Sequence, residues 1–170
     1  MNVIQAIKNR KSIRSYLDKN IENQKLLNVM EAARMAPSAF NKQRTRFVIV
    51  KDENTKSRFA KEAKIPSFAT KAPVLIVACA TTDSCTMHYG QPCYPIDVAI
   101  ALDHIMLAAV EYNLGSCWIS IYDEEKVKEI LQIPKEIRVI SIMILGYPVD
   151  PSPAIKKRLP ISELVKNEKW

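Results

Sequence analysis

One segment, residues 97–112, is apolar at almost every position and shows no polar face at helical spacing. A helix that is apolar all round has to be covered on every side. The chain has 170 residues, about the size of one domain. In so small a protein, a sheet can cover one side of the helix and a second copy of the chain the other. The segment therefore predicts a central buried helix and a homodimer.

The remaining periodicity predicts short helices and strands around this central helix. Asn2 can cap a first helix with an apolar stripe at Val3, Ile4 and Ile7. Gly115 is expected to end the central helix. Because strands do not alternate strictly with helices, the pattern predicts an α+β layer fold rather than a doubly wound parallel sheet. The other predicted elements are helices at 23–35, 54–64 and after Asp123, and strands at 47–50, 74–80, 117–121 and 138–145.

Composition limits the class of protein. Hydrophobic residues make up 48% of the chain and charged residues 25%, which is typical of a globular protein. No run approaches the ~18 apolar residues of a membrane span, and the N-terminus lacks the apolar core of a signal peptide. We therefore expect a soluble, cytoplasmic protein with no membrane partner. A single domain, 1–170, is expected, in which residues 151–170 form an extended tail that docks on another surface.

Cysteine usage and net charge exclude two further classes. Cys79, Cys85, Cys93 and Cys117 contain no CxxC pair, and reduced thiols are expected. His88 lies between two of these cysteines, but a fourth ligand is missing nearby and the spacing matches no zinc motif, so no metal is predicted. The net charge of +7 suggests nucleic-acid binding, yet the basic residues are dispersed and few aromatic residues lie beside them. An anionic cofactor or substrate explains the charge as well, and no nucleic-acid partner is predicted.

Three cations and a hydroxyl group occur within five positions near the N-terminus, at Arg10, Lys11, Ser12 and Arg14. Two guanidinium groups four residues apart at a helix end can both reach one small dianion, and Ser12 adds a compact donor. A phosphate-bearing cofactor fits this group. The same residues are also consistent with a solvated helix end, where the helix dipole favours cations.

Three further segments favour the cofactor. Residues 36–43 are rich in groups that can hydrogen-bond a heteroaromatic ring or a polyol. Residues 113–119 contain a glycine turn, where backbone amides could approach a flat ligand closely. Lys157 and Arg158 could return to the N-terminal cluster and complete the neutralisation of a phosphate. Taken singly, each segment is equally consistent with an ordinary turn, connection or tail.

In their order and spacing, these four segments resemble the nitroreductase family of FMN-dependent oxidoreductases, over essentially the whole chain. The resemblance implies a three-layer nitroreductase-like fold with a mixed, mostly antiparallel central sheet flanked by helices. It further implies an intertwined homodimer with FMN between the subunits and the 151–170 tail docked on the partner. The FMN-binding residues that it implies are Arg10, Lys11, Ser12 and Arg14 for the phosphate and ribityl chain, Pro37, Ser38, Asn41 and Gln43 in a loop that reaches the flavin of the other subunit, Trp118, Ile119 and Ser120 beside the ring, and Lys157 and Arg158 for the phosphate.

The resemblance also implies a ping-pong cycle in which NADH or NADPH passes a hydride to flavin N5 and then to an electron-poor small molecule, nitroaromatic or quinone-like. The chain contains no convincing nucleophile–base pair and no G-x-G-x-x-G fingerprint, which agrees with cofactor-borne chemistry and no catalytic side chain. Arg14 is the candidate for a cation near the N1/C2 side of the ring. Residues 81–94 either border the pocket or form a surface loop.

The alternative functions are an FMN carrier or redox sensor without efficient turnover, a flavin-dependent dehydrogenase or dehalogenase on the same scaffold, and a nucleic-acid-binding module.

Overall fold

The computed structural model describes residues 1–83, 85–153 and 155–170. Two short 3₁₀ turns, Ala39–Asn41 and Ser67–Lys71, lie in the connections. The helices and strands are α1 Val3–Asn9, α2 Asn23–Arg34, β1 Thr45–Val50, α3 Glu53–Glu62, β2 Val74–Thr81, α4 Tyr94–Glu111, β3 Gly115–Ile119, α5 Glu124–Leu131, β4 Ile137–Gly146 and α6 Ile161–Leu164.

The strands form one sheet in the order β1-β2-β4-β3, and each pairing between them is antiparallel. Alternate residues of a strand point to opposite faces of its sheet. In β2 the residues Val74, Ile76 and Ala78 pack on the side of α2 and α4, whereas Leu75 and Val77 pack on the side of α3 and α5. Because both faces are covered, β2 is a nearly continuous apolar run. The predicted three-layer α+β fold is confirmed for a single chain.

Helix α4 is covered on one side only. Its inner face, with Val98, Leu102 and Ile105, is fully buried against the sheet and α2. Its outer face is half-exposed at Ile100 and Leu107, although these side chains are apolar. Within one chain the helix is covered on its inner side only, and the covering of its outer side by a second copy of the chain stays a prediction. Because the inner face is covered as predicted, only the outer face is left for another surface.

The end of α4 differs from the prediction. The helix ends at Glu111, and the residue in the left-handed conformation is Asn113, with φ 57°, rather than Gly115. Asn is one of the few non-glycine residues that adopts this conformation readily. Gly115 instead begins β3 and is buried, since a Cβ atom there would lie only 2.4 Å from Cγ1 of Ile13. The glycine allows close packing against Ile13 and does not form the turn that ends the helix.

The other helix signals agree with the structure. The side chain of Asn2 accepts a hydrogen bond from the backbone N–H of Gln5, and the side chain of Gln5 accepts one from the backbone N–H of Asn2, which makes a complete capping box. Val3, Ile4 and Ile7 of α1, however, are exposed. The predicted apolar stripe therefore exists, but no residue of the same chain covers it within the described structure.

The C-terminal tail leaves the body of the chain after Pro148. Residues 151–153 and 155–170 are exposed apart from the half-buried Lys156, and they include large apolar side chains such as Ile155, Ile161 and Trp170. No helix among the described residues is long and apolar enough to cross a membrane. The tail therefore exposes several large apolar side chains that the rest of the described chain does not cover.

Candidate functional site

The N-terminal basic segment is held along the free edge of β3. The backbone N–H of Ile13 donates to the Ser116 carbonyl at 2.9 Å, and Ser12 forms a parallel bridge with Ser116. Farther along, the N–H of Leu17 donates to the Tyr147 carbonyl at 2.9 Å. An edge strand has unpaired backbone groups, and this segment satisfies part of them. Residues 12–17 are thereby fixed as a rim of the sheet.

The side chains of this rim bring several cations together. Burial raises the pKa of the Cys117 thiol on β3, while the positive charges of Arg14 and Arg10 and a hydrogen bond with Ser12 act to lower it. These three predicted residues therefore gather around one point of β3. Within the part of the chain that is described, neither arginine forms an ion pair, whereas Lys11 lies 3.4 Å from Asp150. The predicted cluster of Arg10, Ser12 and Arg14 exists, with its charge largely unneutralised.

A residue of the tail completes this cluster. The ammonium group of Lys156 donates to the Ile7 carbonyl at the end of α1, at 2.5 Å. Its pKa is lowered, first by burial and then by the positive charges of Arg10 and Arg158. The tail therefore meets the N-terminal segment through Lys156, which is not among the predicted site residues, whereas the predicted Lys157 and Arg158 are exposed. The basic run 156–158 indicated this contact, but the residue facing α1 depends on the path of the tail.

A cleft of about 310 Å³ adjoins the cluster. It lies between the N-terminal segment, the end of α4 and the start of the tail, and its walls include Arg10, Lys11, Ser116 and Asp150. This volume is at the lower end of the range of small-molecule sites, about 300–1,000 Å³. The cleft is large enough for part of a nucleotide-sized ligand.

The predicted flavin-facing residues lie along the same strand. Trp118 is half-buried on the α4 side of the sheet, and Ile119 is buried on the opposite side, where its carbonyl accepts a hydrogen bond from Ser141 at 2.8 Å. Ser120 follows the end of β3 and is exposed. At about 3.3 Å per residue, Ser120 lies about 13 Å along the strand from Ser116. The side chain of Ile119 is therefore core, and only Trp118 and Ser120 are accessible to a ligand.

The loop with Pro37, Ser38, Asn41 and Gln43 is at the other end of α4. The Ser38 hydroxyl accepts from the Gln43 N–H at 2.9 Å, and the Ala39 N–H donates to the Asp97 carboxylate at 2.9 Å. The predicted ligand-binding side chains Asn41 and Gln43 are both exposed. Their backbones have positive φ angles of 52° and 51°. Non-glycine residues keep such angles only where the surroundings hold them, so the loop has one fixed shape.

A buried arginine holds this loop, and the sequence analysis did not identify it. Arg44 is only 3% exposed, and its guanidinium group lies 2.8 Å from Asp83 and 3.2 Å from Asp97. Burial acts to lower the pKa of Arg44, but the two carboxylates outweigh burial and raise it. The group also donates to the Ala39 carbonyl at 3.4 Å. Asp83 and Asp97 neutralise the charge of Arg44 within the chain, and Arg44 positions the loop.

The two sets of predicted ligand-binding residues are far apart in one chain. The loop contacts Asp97 in the first turns of α4, whereas the basic cluster and its cleft adjoin Val110 and Asn113 at the other end. The 14 residue steps from 97 to 111 correspond to about 20 Å of helix. The structure therefore does not bring the two sets together within a single subunit.

Residues 81–94 partly form a hairpin beside the loop, in which Thr86 pairs with Pro92. Met87 and Cys93 border a small apolar pocket of about 220 Å³ together with Pro37, Ser38 and Ala39. Ser84, within this predicted segment, is outside the described residues. The described part of the segment thus borders a pocket at the loop. No group of three or more His, Cys, Asp or Glu residues suited to a metal ion occurs in the described parts of the chain.

Comparisons with known proteins place this geometry in context. The family model described as "Nitroreductase family" matches residues 7–66 and 60–147. A solved nitroreductase family protein from Clostridium difficile 630 is 30% identical and covers 100% of both chains, with a TM-score of 0.89. An FMN-dependent nitroreductase from Clostridium difficile R20291 is 27% identical, covers 98% of this chain and 99% of its own, and has a TM-score of 0.86. An FMN reductase [NAD(P)H] from Bacillus subtilis is 27% identical over 93% of this chain and 70% of its own length.

Proposed function

Because this chain belongs to the nitroreductase family, we propose that it is an FMN-dependent oxidoreductase that uses NADH or NADPH to reduce an electron-poor small molecule. The relatives that carry FMN and NAD(P)H in their names support the cofactor and the co-substrate. A nitroaromatic or quinone-like compound is the proposed acceptor. The nicotinamide leaves before the acceptor enters the same place, so that the kinetics are ping-pong.

The observation that carries this proposal is the group of unneutralised cations beside β3. The pKa of Lys156 is lowered first by burial and then by the positive charges of Arg10 and Arg158, and Arg14 and Arg10 act together on Cys117. Asp150, a carboxylate that lines the adjoining cleft, is already paired with Lys11. Uncompensated charges repel one another and favour a bound anion. The donor set of guanidinium, ammonium and hydroxyl groups fits the phosphate of FMN.

Bound FMN supplies the redox chemistry through hydride transfer at N5. The chain's own residues bind and orient it. Arg10, Ser12, Arg14 and Lys156 hold the phosphate and ribityl chain, and Trp118 and Ser120 face the ring from the end of β3. Arg14 also places a positive charge towards the N1/C2 side of the ring, where it favours negative charge during reduction.

We propose that the site is completed by a second copy of this chain. The loop with Ser38, Asn41 and Gln43 is about 20 Å from the basic cluster of its own subunit, so it serves the cluster of the partner subunit. Exposed apolar side chains on α1, on the outer face of α4 and on the tail offer the surface for such a dimer. In this arrangement the single domain 1–170 docks its tail, residues 151–170, on the partner.

The test is an absorption spectrum of the purified protein with added FMN, followed by anaerobic addition of NADH or NADPH. We expect bound-flavin bands that bleach with the nicotinamide and return when a quinone or a nitroaromatic compound is added. Bound FMN that neither nicotinamide bleaches would contradict the enzyme and leave a flavin carrier. The absence of FMN binding at micromolar concentration would contradict the cofactor assignment.

A further inference from the structure

Two cysteines face each other across the hairpin beside the loop. Thr86 and Pro92 form an antiparallel bridge, and the Cys93 N–H donates to the Cys85 carbonyl at 3.1 Å. Cys85 and Cys93 are thus directly opposed. Directly opposed residues of antiparallel strands are about 4.5–5.5 Å apart at Cα, and disulfides commonly span about 4.4–6.8 Å. The backbone is already arranged for a cross-link.

The two side chains also point at each other. Their Sγ atoms are 3.3 Å apart and share a hydrogen bond. The pKa of the Cys93 thiol is raised, first by this hydrogen bond with Cys85 and then by burial. Cys93 is 5% exposed, whereas Cys85 is partly exposed. A small solute therefore reaches the Cys85 thiol first. The Cys93 thiol lies deeper and remains protonated.

A buried positive charge lies beside the pair. Arg44 has one guanidinium nitrogen, Nη2, that is buried and donates no hydrogen bond within the described residues. The charge of Arg44 acts to lower the pKa of Cys93, and Cys85 contributes to the raised pKa of Arg44. Nearby arginine favours a thiolate over a thiol. The two adjacent thiols therefore lie beside a guanidinium group that acts to lower the pKa of Cys93 and a carboxylate, Asp97, that acts to raise it.

We propose that Cys85 and Cys93 form a redox modification site, at which a peroxide oxidises the two thiols to a reversible disulfide within one chain. This inference does not depend on FMN binding or on the dimer. It goes beyond the sequence analysis, which treats all four cysteines alike as reduced thiols. Disulfides in reducing compartments are usually transient and redox-responsive, and a pair of this geometry suits that role.

The reaction balances with peroxide as the only oxidant. The Cys85 thiolate attacks one peroxide oxygen, the O–O bond breaks, and the hydroxide that leaves takes up a proton to become water. Cys85 is then a sulfenic acid. The Cys93 sulfur attacks the Cys85 sulfur, the S–S bond forms, the S–O bond breaks, and the departing hydroxide takes the Cys93 proton. Two thiols and one hydrogen peroxide thus give one disulfide and two waters.

The other two cysteines provide the internal contrast. Burial raises the pKa of Cys79 to about 11, and burial also raises that of Cys117. Cys79 lies on the central strand β2 and Cys117 on the edge strand β3, and both side chains are buried in the core on the α3 and α5 side. Buried cysteines with a raised pKa are poor nucleophiles. Cys79 and Cys117 should therefore stay reduced while the hairpin pair reacts.

The experiment treats the full-length reduced protein with hydrogen peroxide at about equal concentration, blocks remaining thiols, and measures the mass. We expect a mass lower by two hydrogens and two blocked thiols instead of four, both reversed by dithiothreitol. Cleavage after Tyr89, between the two cysteines, should leave the fragments joined until reduction. Joined fragments that contain Cys79 or Cys117, cross-links between chains, or an unchanged mass would overturn the proposal.

Four single variants assign the roles. Cys79→Ala and Cys117→Ala should form the disulfide as the unchanged protein does, and each serves as a matched control for a lost thiol. Cys93→Ser should stop at the Cys85 sulfenic acid, which a cyclic 1,3-dione labels. Cys85→Ser should neither cross-link nor be labelled. Equal labelling of Cys85→Ser would overturn the order of attack.

Discussion

The two ends of α4 use arginine in opposite ways. At the N-terminal end, Arg44 is buried and neutralised by Asp83 and Asp97. Near the C-terminal end, Arg10 and Arg14 lie along an edge strand and form no ion pair among the described residues, and no carboxylate is set against them as Asp97 is against Arg44. A paired guanidinium group thus fixes a loop, whereas an unpaired group is left for a ligand.

The two regions also differ in how they are held. The loop beside Arg44 has three non-glycine residues with positive φ within four positions, namely Phe40, Asn41 and Gln43. Its shape depends on side-chain hydrogen bonds and on Arg44. The basic segment, by contrast, is held by its own backbone bonds to β3 and β4. Substitutions should therefore disturb the loop through its ion pair, and the basic segment through its packing.

The largest effect on FMN affinity is expected from substitutions in the basic cluster of one chain and in the loop of another. Arg10→Ala/Arg14→Ala should lose nearly all FMN affinity, since each charge-assisted hydrogen bond contributes about 1.5–3 kcal/mol. Asn41→Ala/Gln43→Ala should weaken binding from the other region, where both side chains are exposed. A heterodimer of the two variants, isolated with two affinity tags, has one site in which both the cluster and the loop are unchanged. It should therefore bind FMN at one of its two sites. Fluorescence titration with FMN measures this recovery.

Arg58→Ala is the matched control for that experiment, because Arg58 is an exposed arginine paired with Glu62 on α3. It should leave FMN affinity unchanged. If the heterodimer binds no more FMN than either parent, each site belongs to a single chain and the shared site is wrong.

Asp97→Asn should produce the next largest effect. It removes the buried partner of Arg44 while keeping the shape of the side chain, and loss of one partner of a buried pair costs about 3–5 kcal/mol. Urea unfolding should show this loss in the free energy of unfolding. Asp83→Asn is the comparison, because the Asp83 side chain is 43% exposed and water can replace part of what it supplies, so its loss should be the smaller one. Equal losses in both variants would contradict the structural role of the buried pair.

Gly115→Ala should have a moderate effect on the opposite region. The added Cβ would lie 2.4 Å from Ile13 Cγ1, and such overpacking costs about 1–3 kcal/mol. Because Ile13 is flanked by Ser12 and Arg14, FMN affinity should fall together with stability. Adding Ile13→Ala should restore part of the affinity by making room. A double variant that binds FMN as weakly as Gly115→Ala alone would show that this contact does not position the cluster.

Inorganic phosphate should have the smallest effect. If the unneutralised cations bind phosphate, a concentration equal to its Kd stabilises the protein by about 0.4 kcal/mol, or about 1 °C in Tm. Chloride at the same ionic strength is the control. Bound phosphate favours protonated Lys156, whose pKa is lowered by burial and by Arg10 and Arg158. The affinity should therefore fall as the pH rises through that lowered pKa, and equal shifts with chloride would contradict the anion site.

Much of the fold could be predicted from local patterns. The four strands, α2 and the caps at Asn2 and Asp123 lie within a few residues of their predicted positions. These features depend on the alternation of apolar side chains and on hydrogen bonds within one turn, both of which are local. The cluster of Arg10, Ser12 and Arg14 was also predictable, because its residues are neighbours in sequence.

The errors concern contacts between distant segments. The role of Gly115 depends on Ile13, about a hundred residues away, and that of Lys156 depends on where the tail meets α1. Arg44 resembles any basic residue at the start of a strand until Asp83 and Asp97 are placed beside it. No pattern within a few residues of the sequence indicates these contacts.

By itself, the sequence determined the helices, the strands, the layer class of the fold and the basic segment, because hydrophobic periodicity and capping act over a few residues. Only the tertiary structure decided which charges are neutralised, which glycine is needed for packing, and that the two candidate ligand-binding regions lie at opposite ends of one helix. These outcomes depend on the path of the whole chain, since the energy of a charge or a cavity is decided by whatever neighbour the fold brings within a few ångströms.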